Sequence, residues 1–150
     1  MKLLQVAAFA AIVVSGSALA GSVPQWGGGG GGGGGSSSGP ESTLSIYQFG
    51  TNNAALALQS DARKSDTTIT QHGYGNGADV GQGSDNSTID LTQKGFKNNA
   101  TIDQWNGKNS DITVSQYGGR NAALVNQTAS DSSVLVKQVG FGNNATANQY

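Results

Sequence analysis

The sequence has no cysteine, only two prolines (positions 24 and 40) and few charges: Asp, Glu, Lys and Arg make up 11% of its 150 residues. The missing cysteines exclude disulfides as a source of stability. A formal net charge of −1 argues against nucleic acid as a partner, because nucleic-acid binding usually needs a basic face. Beyond residue 14 there are no long apolar runs. Gly, Ser, Thr, Asn and Gln dominate instead, a composition typical of disorder or of β-aggregation.

The first twenty residues, MKLLQVAAFAAIVVSGSALA, differ from the rest. They combine Lys2 with an apolar run from Val6 to Val14 and small residues ending at Ala18-Leu19-Ala20, the pattern of a secretory signal with an A-x-A cleavage site. A membrane anchor is the alternative, but a run of about nine apolar residues is too short to span a bilayer. We therefore expect residues 1–20 to be a signal peptide and the mature, secreted chain to begin at Gly21.

Residues 21–41 form a Gly-rich leader with nine consecutive glycines, Gly27–Gly35. Such a segment has almost nothing to bury, so a flexible, disordered coil is expected. Its one distinctive patch is Val23-Pro24-Gln25-Trp26. The composition favours a spacer; the alternative is a handle that an export machine grips at Trp26.

From Ser42 the pattern S-x5-Q-x-G-x2-N-x-A-x3-Q occurs five times, at steps of 22 or 23 residues. Repeats of this period indicate solenoids, propellers or arrays. The repeat domain, residues 42–150, divides into copies at 42–64, 65–86, 87–109, 110–131 and 132–150.

Each copy contains two seven-residue segments in which alternate positions share one character. In the third copy Ser87, Ile89, Leu91 and Gln93 alternate with polar residues, and the second segment repeats the pattern. Period two predicts strands. The expected fold is therefore all-β: a cross-β solenoid of five strand-turn-strand rungs stacked as two parallel sheets, after the disordered leader.

Stacking explains why amides recur, since equivalent Gln and Asn side chains can hydrogen-bond along the column. These hydrogen bonds offset the free-energy cost of burying the amides. Ala in the second strand leaves room for the larger apolar residue opposite. The sequence predicts a four-residue turn between the two segments, as at 49–52, whose glycine allows the positive φ of a tight reversal. The predicted stacking residues are Gln48, Asn53, Gln59, Gln71, Asn76, Gln82, Gln93, Asn98, Gln104, Gln116, Asn121, Gln127, Gln138, Asn143 and Gln149. The predicted turn glycines are Gly50, Gly73, Gly95, Gly118 and Gly140.

Soluble solenoids close their ends with polar capping repeats, but here we expect neither the leader nor Tyr150 to cap the column. An open edge is a template for another chain, so the next molecule is expected to continue the repeat. Carboxylates beside strands oppose premature pairing. The outward Asp residues occur only in copies two to four, whereas copies one and five carry Tyr47, Leu56, Leu58, Leu135 and Lys137. The predicted gatekeepers are Asp66, Asp79, Asp90, Asp103 and Asp111.

The chain resembles the curlin family, whose members build curli, the extracellular amyloid fibres of enteric bacterial biofilms. The resemblance spans the signal peptide, the leader and the five repeats, and includes runs such as ITQHG (69–73), DQWNGK (103–108) and VGFGNNA (139–145). It implies export of an unfolded chain through an outer-membrane secretion pore with accessory factors. It also implies nucleation by a minor subunit and growth into cell-surface fibres (fimbriae) that bind cells, surfaces and host matrix proteins. Within the family the stacking residues of the end repeats matter most for assembly, here Gln48, Asn53, Gln138 and Asn143.

Other functions fit the sequence less well. An enzyme needs clustered acids or bases, but the Asp residues are scattered and His72 is the sole histidine, so no catalytic, metal or cofactor role is expected. Calcium-binding β-rolls need Asp in every turn, and these turns lack it. The main alternative is a soluble β-solenoid binder of the ice-binding or adhesin type, although its outward Thr ladders are interrupted here by Asp, Leu and Tyr. Before assembly we expect the chain to be disordered.

Overall fold

The computed structural model describes residues 9–15, 20–24, 42–60 and 62–150. Within them every regular element is a β-strand, and no helix is long and apolar enough to cross a membrane. The repeat domain contains ten of these strands, two per copy. They are β3 (Thr43–Thr51), β4 (Asn53–Gln59), β5 (Asp66–Tyr74), β6 (Gly77–Asp85), β7 (Thr88–Phe96), β8 (Asn99–Lys108), β9 (Asp111–Gly119), β10 (Ala122–Gln127), β11 (Ser133–Phe141) and β12 (Asn144–Gln149).

Each copy forms one rung, with its two strands in two different sheets. The first sheet contains β3, β5, β7, β9 and β11 in that spatial order, and the second contains β4, β6, β8, β10 and β12. Neighbouring rungs pair in parallel and in register, so that Gln71 lies beside Gln48 and Ala78 beside Ala55. This confirms the expected five-rung β-solenoid with two parallel sheets.

The core lies between the sheets and consists of stacked identical positions. Large side chains of the first sheet, such as Ile69 and Leu91, face small or branched ones of the second, such as Ala100 and Ile102, and all four are fully buried. Successive strand residues point to opposite faces, so the motif positions of one parity fill this core and the others face outward. Rung two has Thr67 at the position that Leu44 and Ile89 occupy in the neighbouring rungs, and Thr67 Oγ1 donates to Gln82 Oε1 at 2.7 Å.

The first turn of each rung is tighter than expected from the sequence. A four-residue loop was expected at 49–52, but β3 continues through Gly50 to Thr51, and Asn52 alone lies between the strands. Corner residues also pair with the next rung, for example Gly75 N to Thr51 O at 3.0 Å, and this extends the ladder around the bend. The corner residues Asn52, Gly75, Lys97, Arg120 and Gly142 all have φ between 53° and 69°.

The second turn is less regular, because the pairing of β6 with β8 shifts register between Gly83 and Asp85. The Trp105 indole lies against Gly81 and Gly83 of the rung below, where a Cβ on Gly83 would collide with the ring. The repeat pattern did not predict this irregularity, because the second turns vary in sequence.

Two further strands lie on rung one, at the edge where an open face was expected. They are β1 (Phe9–Ser15), antiparallel to β4, and β2 (Ala20–Pro24), antiparallel to β3. Residues 21–24 of the leader take part in this pairing, because an exposed sheet edge pairs with any extended segment within reach. The rest of the leader, residues 25–41, lies outside the described residues. Since β1 falls inside the predicted signal peptide, cleavage after Ala20 would remove it.

Candidate assembly site: three amide ladders

The first Gln ladder runs up the inner face of the first sheet. In it each Nε2 donates to the Oε1 of the next rung at 2.7–2.8 Å. From rung two onward the same nitrogen also donates to a carbonyl oxygen of the second sheet, as Gln93 does to Gly77 at 2.8 Å. The ladder therefore joins rungs along the axis and sheets across it. Its members are Gln48, Gln71, Gln93, Gln116 and Gln138.

The second Gln ladder runs along the second sheet beside the link between copies. Its Nε2 to Oε1 distances are 2.7–3.0 Å. The same nitrogens of Gln59, Gln82 and Gln104 also donate to the carbonyl oxygen of the Ser that opens the next copy, at 2.9–3.0 Å. The ladder therefore fixes where one rung passes to the next. Its members are Gln59, Gln82, Gln104, Gln127 and Gln149.

The Asn ladder lies at the first turn. Each Oδ1 accepts both the side-chain Nδ2 and the backbone N–H of the Asn in the next rung, at 3.0–3.1 Å. Each Nδ2 also donates to carbonyl oxygens of the turn, as Asn98 does to Gly118 at 3.2 Å. Asn is suited to this position because its short side chain reaches its own turn and the neighbouring one. The members are Asn53, Asn76, Asn98, Asn121 and Asn143.

The three ladders have a direction. The extra carbonyl partners fix which end of each amide is nitrogen, because a carbonyl oxygen can only accept. Both Gln ladders consequently donate toward rung five, whereas the Asn ladder donates toward rung one. The two ends of the column therefore differ chemically.

All five turn glycines have the positive φ expected of them, between 110° and 125°. The close approach of rungs is a second reason for glycine. A Cβ on Gly50, Gly73, Gly95 or Gly118 would collide with the carbonyl oxygen of the glycine one rung farther on. The turn glycines thus allow the Asn ladder to form at the rung spacing.

The rung-five end is open in the described structure. Strands β11 and β12 are the outer strands of their sheets. Their inward residues are less covered than those inside the column: Val136 is 8% and Gln138 6% exposed, against 0% for Val114 and Gln116. This end therefore presents unpaired strand edges together with partly exposed core side chains.

The five predicted gatekeepers lie on the outward faces. Asp66, Asp90 and Asp111 lie on the first sheet and Asp79 and Asp103 on the second, with Asp103 partly covered. At equivalent outward positions of neighbouring rungs, the carboxylates are separated by neutral residues: Thr88 lies between Asp66 and Asp111. The end rungs have no outward Asp in the sequence pattern, and the outward residues predicted for them also lie outward, namely Tyr47, Leu56, Leu58, Leu135 and Lys137.

A column of serines was not among the predicted site residues, although Ser opens every repeat. Ser65 Oγ donates to Ser84 O at 2.6 Å and accepts the backbone N–H of Ser87 at 3.2 Å, and Ser87 and Ser110 continue the chain. The fivefold recurrence of Ser was the available signal.

Comparison with known proteins identifies this arrangement. The pattern of the family described as "Curlin associated repeat" matches residues 39–73, 84–118 and 107–140, which together make up more than half of the chain. The chain belongs to the curlin repeat family. The matched residues include positions of the amide ladders, the serine column and the turn glycines, such as Gln93, Ser110 and Gly95.

Curated curlin relatives are highly similar over part of their length. The chain is 89% identical over 82 residues to the protein named "Major curlin subunit" of Salmonella typhimurium, which is 54% of each chain, and equally so to that of Salmonella typhi. To the Major curlin subunit of Escherichia coli K12 it is 75% identical over 51 residues, or 33% of this chain and 34% of that one. The chain thus matches about half the length of its curated curlin relatives.

Proposed function

We propose that this chain is a structural, non-enzymatic subunit that is secreted and polymerises into extracellular curli-type fibres by stacking rung on rung. The observation that carries the proposal is the open rung-five end, where uncovered strand edges coincide with the ends of all three amide ladders. An exposed edge of this kind is a template for another chain unless it is blunted. Membership of the curlin repeat family and the relatives named major curlin subunits support the same role.

The direction of the ladders predicts the polarity of the fibre. Signal-peptide cleavage removes β1, and stacking on rung one further requires β2 to leave the edge of β3. If rung five of one molecule then meets rung one of the next, the Nε2 groups of Gln138 and Gln149 point at Gln48 and Gln59, and Asn53 points at Asn143. If two rung-five ends met, the Nε2 donors of the Gln ladders would face each other. If two rung-one ends met, the Oε1 acceptors would face each other. Buried polar groups without partners are costly, so head-to-tail stacking is favoured.

The remaining roles follow from the family resemblance and are part of this proposal. Residues 1–20 act as a signal peptide and residues 21–41 target the chain to an outer-membrane pore and its accessory factors. A minor subunit nucleates growth at the cell surface. The fibres contribute to biofilm matrix, to cell aggregation and to adhesion to surfaces and host matrix proteins.

Incubation of the purified mature chain tests the proposal. We expect a lag, then thioflavin-positive fibres whose diffraction shows the strand spacing of about 4.8 Å along the fibre axis. A compact monomer that persists at high concentration would contradict polymerisation and favour the soluble solenoid binder.

A further inference from the structure

The column has one edge with cations and aromatic rings but without carboxylates. We call it the first-turn edge and define it as residues 49–52, 72–75, 94–97, 117–120 and 139–142. These stretches contain no Asp or Glu, and their four basic side chains are all exposed: His72, Lys94, Lys97 and Arg120. The structure places them in three consecutive rungs, two, three and four.

Aromatic side chains lie among these cations. Tyr74 is 48% exposed and Phe141 70%. Phe96 and Phe141 approach each other across Gly119 of the rung between them, with ring centroids 5.8 Å apart, and Lys94 Nζ lies 5.7 Å from the Tyr117 ring centroid. Exposed aromatic residues together with Arg are typical of protein interfaces.

The carboxylates lie on other surfaces of the same molecule. The outward face of the first sheet carries Asp66, Asp90 and Asp111, and that of the second sheet carries Asp79 and Asp103. The opposite edge, formed by the second turns, mixes both signs, with Arg63, Lys64 and Lys108 beside its own Asp residues. The first-turn edge is therefore complementary in charge to the sheet faces.

We propose that the first-turn edge docks on the outward face of the first sheet of a second fibre, which carries Asp66, Asp90 and Asp111, and so bundles fibres sideways. This rests on the proposed fibre formation. Carboxylates and first-turn cations both lie in rungs two to four, so a fibre would carry charged and nearly neutral bands that repeat every five rungs, about 24 Å. Lateral neighbours then align their bands, which fixes their axial register.

A second copy fits this edge better than nucleic acid does. The edge offers three permanent cations per subunit length of about 24 Å, whereas duplex DNA carries one charge per about 1.7 Å. The sheet faces carry carboxylates at a spacing similar to that of the cations.

The size of the edge makes bundling a property of fibres rather than of single molecules. A strip one sheet pair wide and five rungs long is far smaller than the roughly 1,600 Å² of a stable interface. Many such contacts along a fibre act together and give avidity. Single mature chains are therefore expected not to pair sideways.

The experiment compares fibres of three variants of the mature chain with wild type. The edge variant is Lys94→Gln/Lys97→Gln/Arg120→Gln. The matched control, Arg63→Gln/Lys64→Gln/Lys108→Gln, changes net charge equally and includes one residue at positive φ, Lys64, where the edge variant includes two, Lys97 and Arg120. The face variant is Asp66→Asn/Asp90→Asn/Asp111→Asn. Electron microscopy measures fibre width, thioflavin fluorescence measures growth, and sedimentation measures capture of added duplex DNA.

We expect wild type and control to bundle alike, and the bundled fraction to fall roughly tenfold in the edge variant at unchanged growth. The face variant should also bundle less, because it lacks the carboxylates that the edge cations contact. If acidic fibres simply repelled one another, the loss of these carboxylates would instead increase bundling. The proposal is overturned if the edge variant and the control lose bundling equally, or if the face variant bundles more than wild type. Loss of DNA capture with unchanged bundling would overturn it in favour of a polyanion site. Failure of wild type to form fibres contradicts the proposed function instead.

Discussion

A buried amide in this column has hydrogen-bond partners above, below and across. Gln93 accepts from Gln71 and donates to Gln116 and Gly77, all at 2.8 Å. A side chain of the same length without an amide would leave the buried polar atoms of Gln71, Gln116 and Gly77 without this partner. The free-energy cost of such unpaired buried atoms exceeds the net gain from a single hydrogen bond. This asymmetry explains why the motif requires Gln at this position.

Gln93→Met should therefore weaken assembly while nearly preserving side-chain volume. We expect a cost on the order of 3 kcal/mol per molecule, seen as a roughly hundredfold rise in the soluble concentration left at equilibrium with fibres. The control is Thr92→Val on the outward face of the same strand, which should change that concentration by no more than about twofold. A rise below threefold for Gln93→Met would show that the ladder is not required.

At the scale of the strands and rungs, the sequence predicted what repetition and alternation encode. The five copies, the two strands per copy and the inward parity of residues such as Ile89 and Gln93 are all confirmed. The direction of the amide ladders was not predictable, because a Gln side chain can turn either its oxygen or its nitrogen toward rung five. The carbonyl partners that decide it, such as Gly77 O, are known only once both sheets are placed.

The irregular parts were missed for physical reasons as well. The packing of Trp105 on Gly83 depends on a contact between neighbouring rungs that no single copy contains. The pairing of β2 with β3 depends on an open sheet edge within reach of residues 21–24, which their composition does not encode.

The gatekeeper hypothesis makes a prediction for single copies. In the column Asp90 stacks between Thr68 and Thr113, but in a stack of identical copy-three peptides it would lie on itself. Two such charges about 4–5 Å apart repel by about 1 kcal/mol even in water. Peptide 87–109 should therefore form fibres later than peptides 42–64 and 132–150, as followed by thioflavin fluorescence.

Replacing Asp90 and Asp103 by Asn should shorten the lag of that peptide. Lys94→Gln/Lys97→Gln is the control, with a smaller effect expected because those long side chains can splay apart at the turn. If unmodified copy three assembled fastest of the copies, the gatekeeper assignment would be wrong.

At the scale of the whole molecule, the structure is a column whose amide ladders join every rung to the next and whose rung-five end is open. The middle rungs bury Leu91, Val114 and Ile102 completely, whereas rung five leaves its core residues partly exposed. Another rung would cover these residues and extend every ladder at once. The same sequence pattern therefore provides both the fold of one molecule and the contact between molecules.

Disulfide trapping between single-cysteine variants tests this claim most directly, since the chain has no cysteine of its own. Tyr47 and Lys137 occupy the same outward ladder, in rungs one and five. In a head-to-tail fibre they lie in adjacent rungs of neighbouring molecules, about 4.8 Å apart and within the range that a disulfide bridges. Oxidised mixed fibres of Tyr47→Cys and Lys137→Cys should yield 47–137 cross-links in mass spectrometry. Fibres that contain only 47–47 or 137–137 links, or none, would contradict head-to-tail stacking.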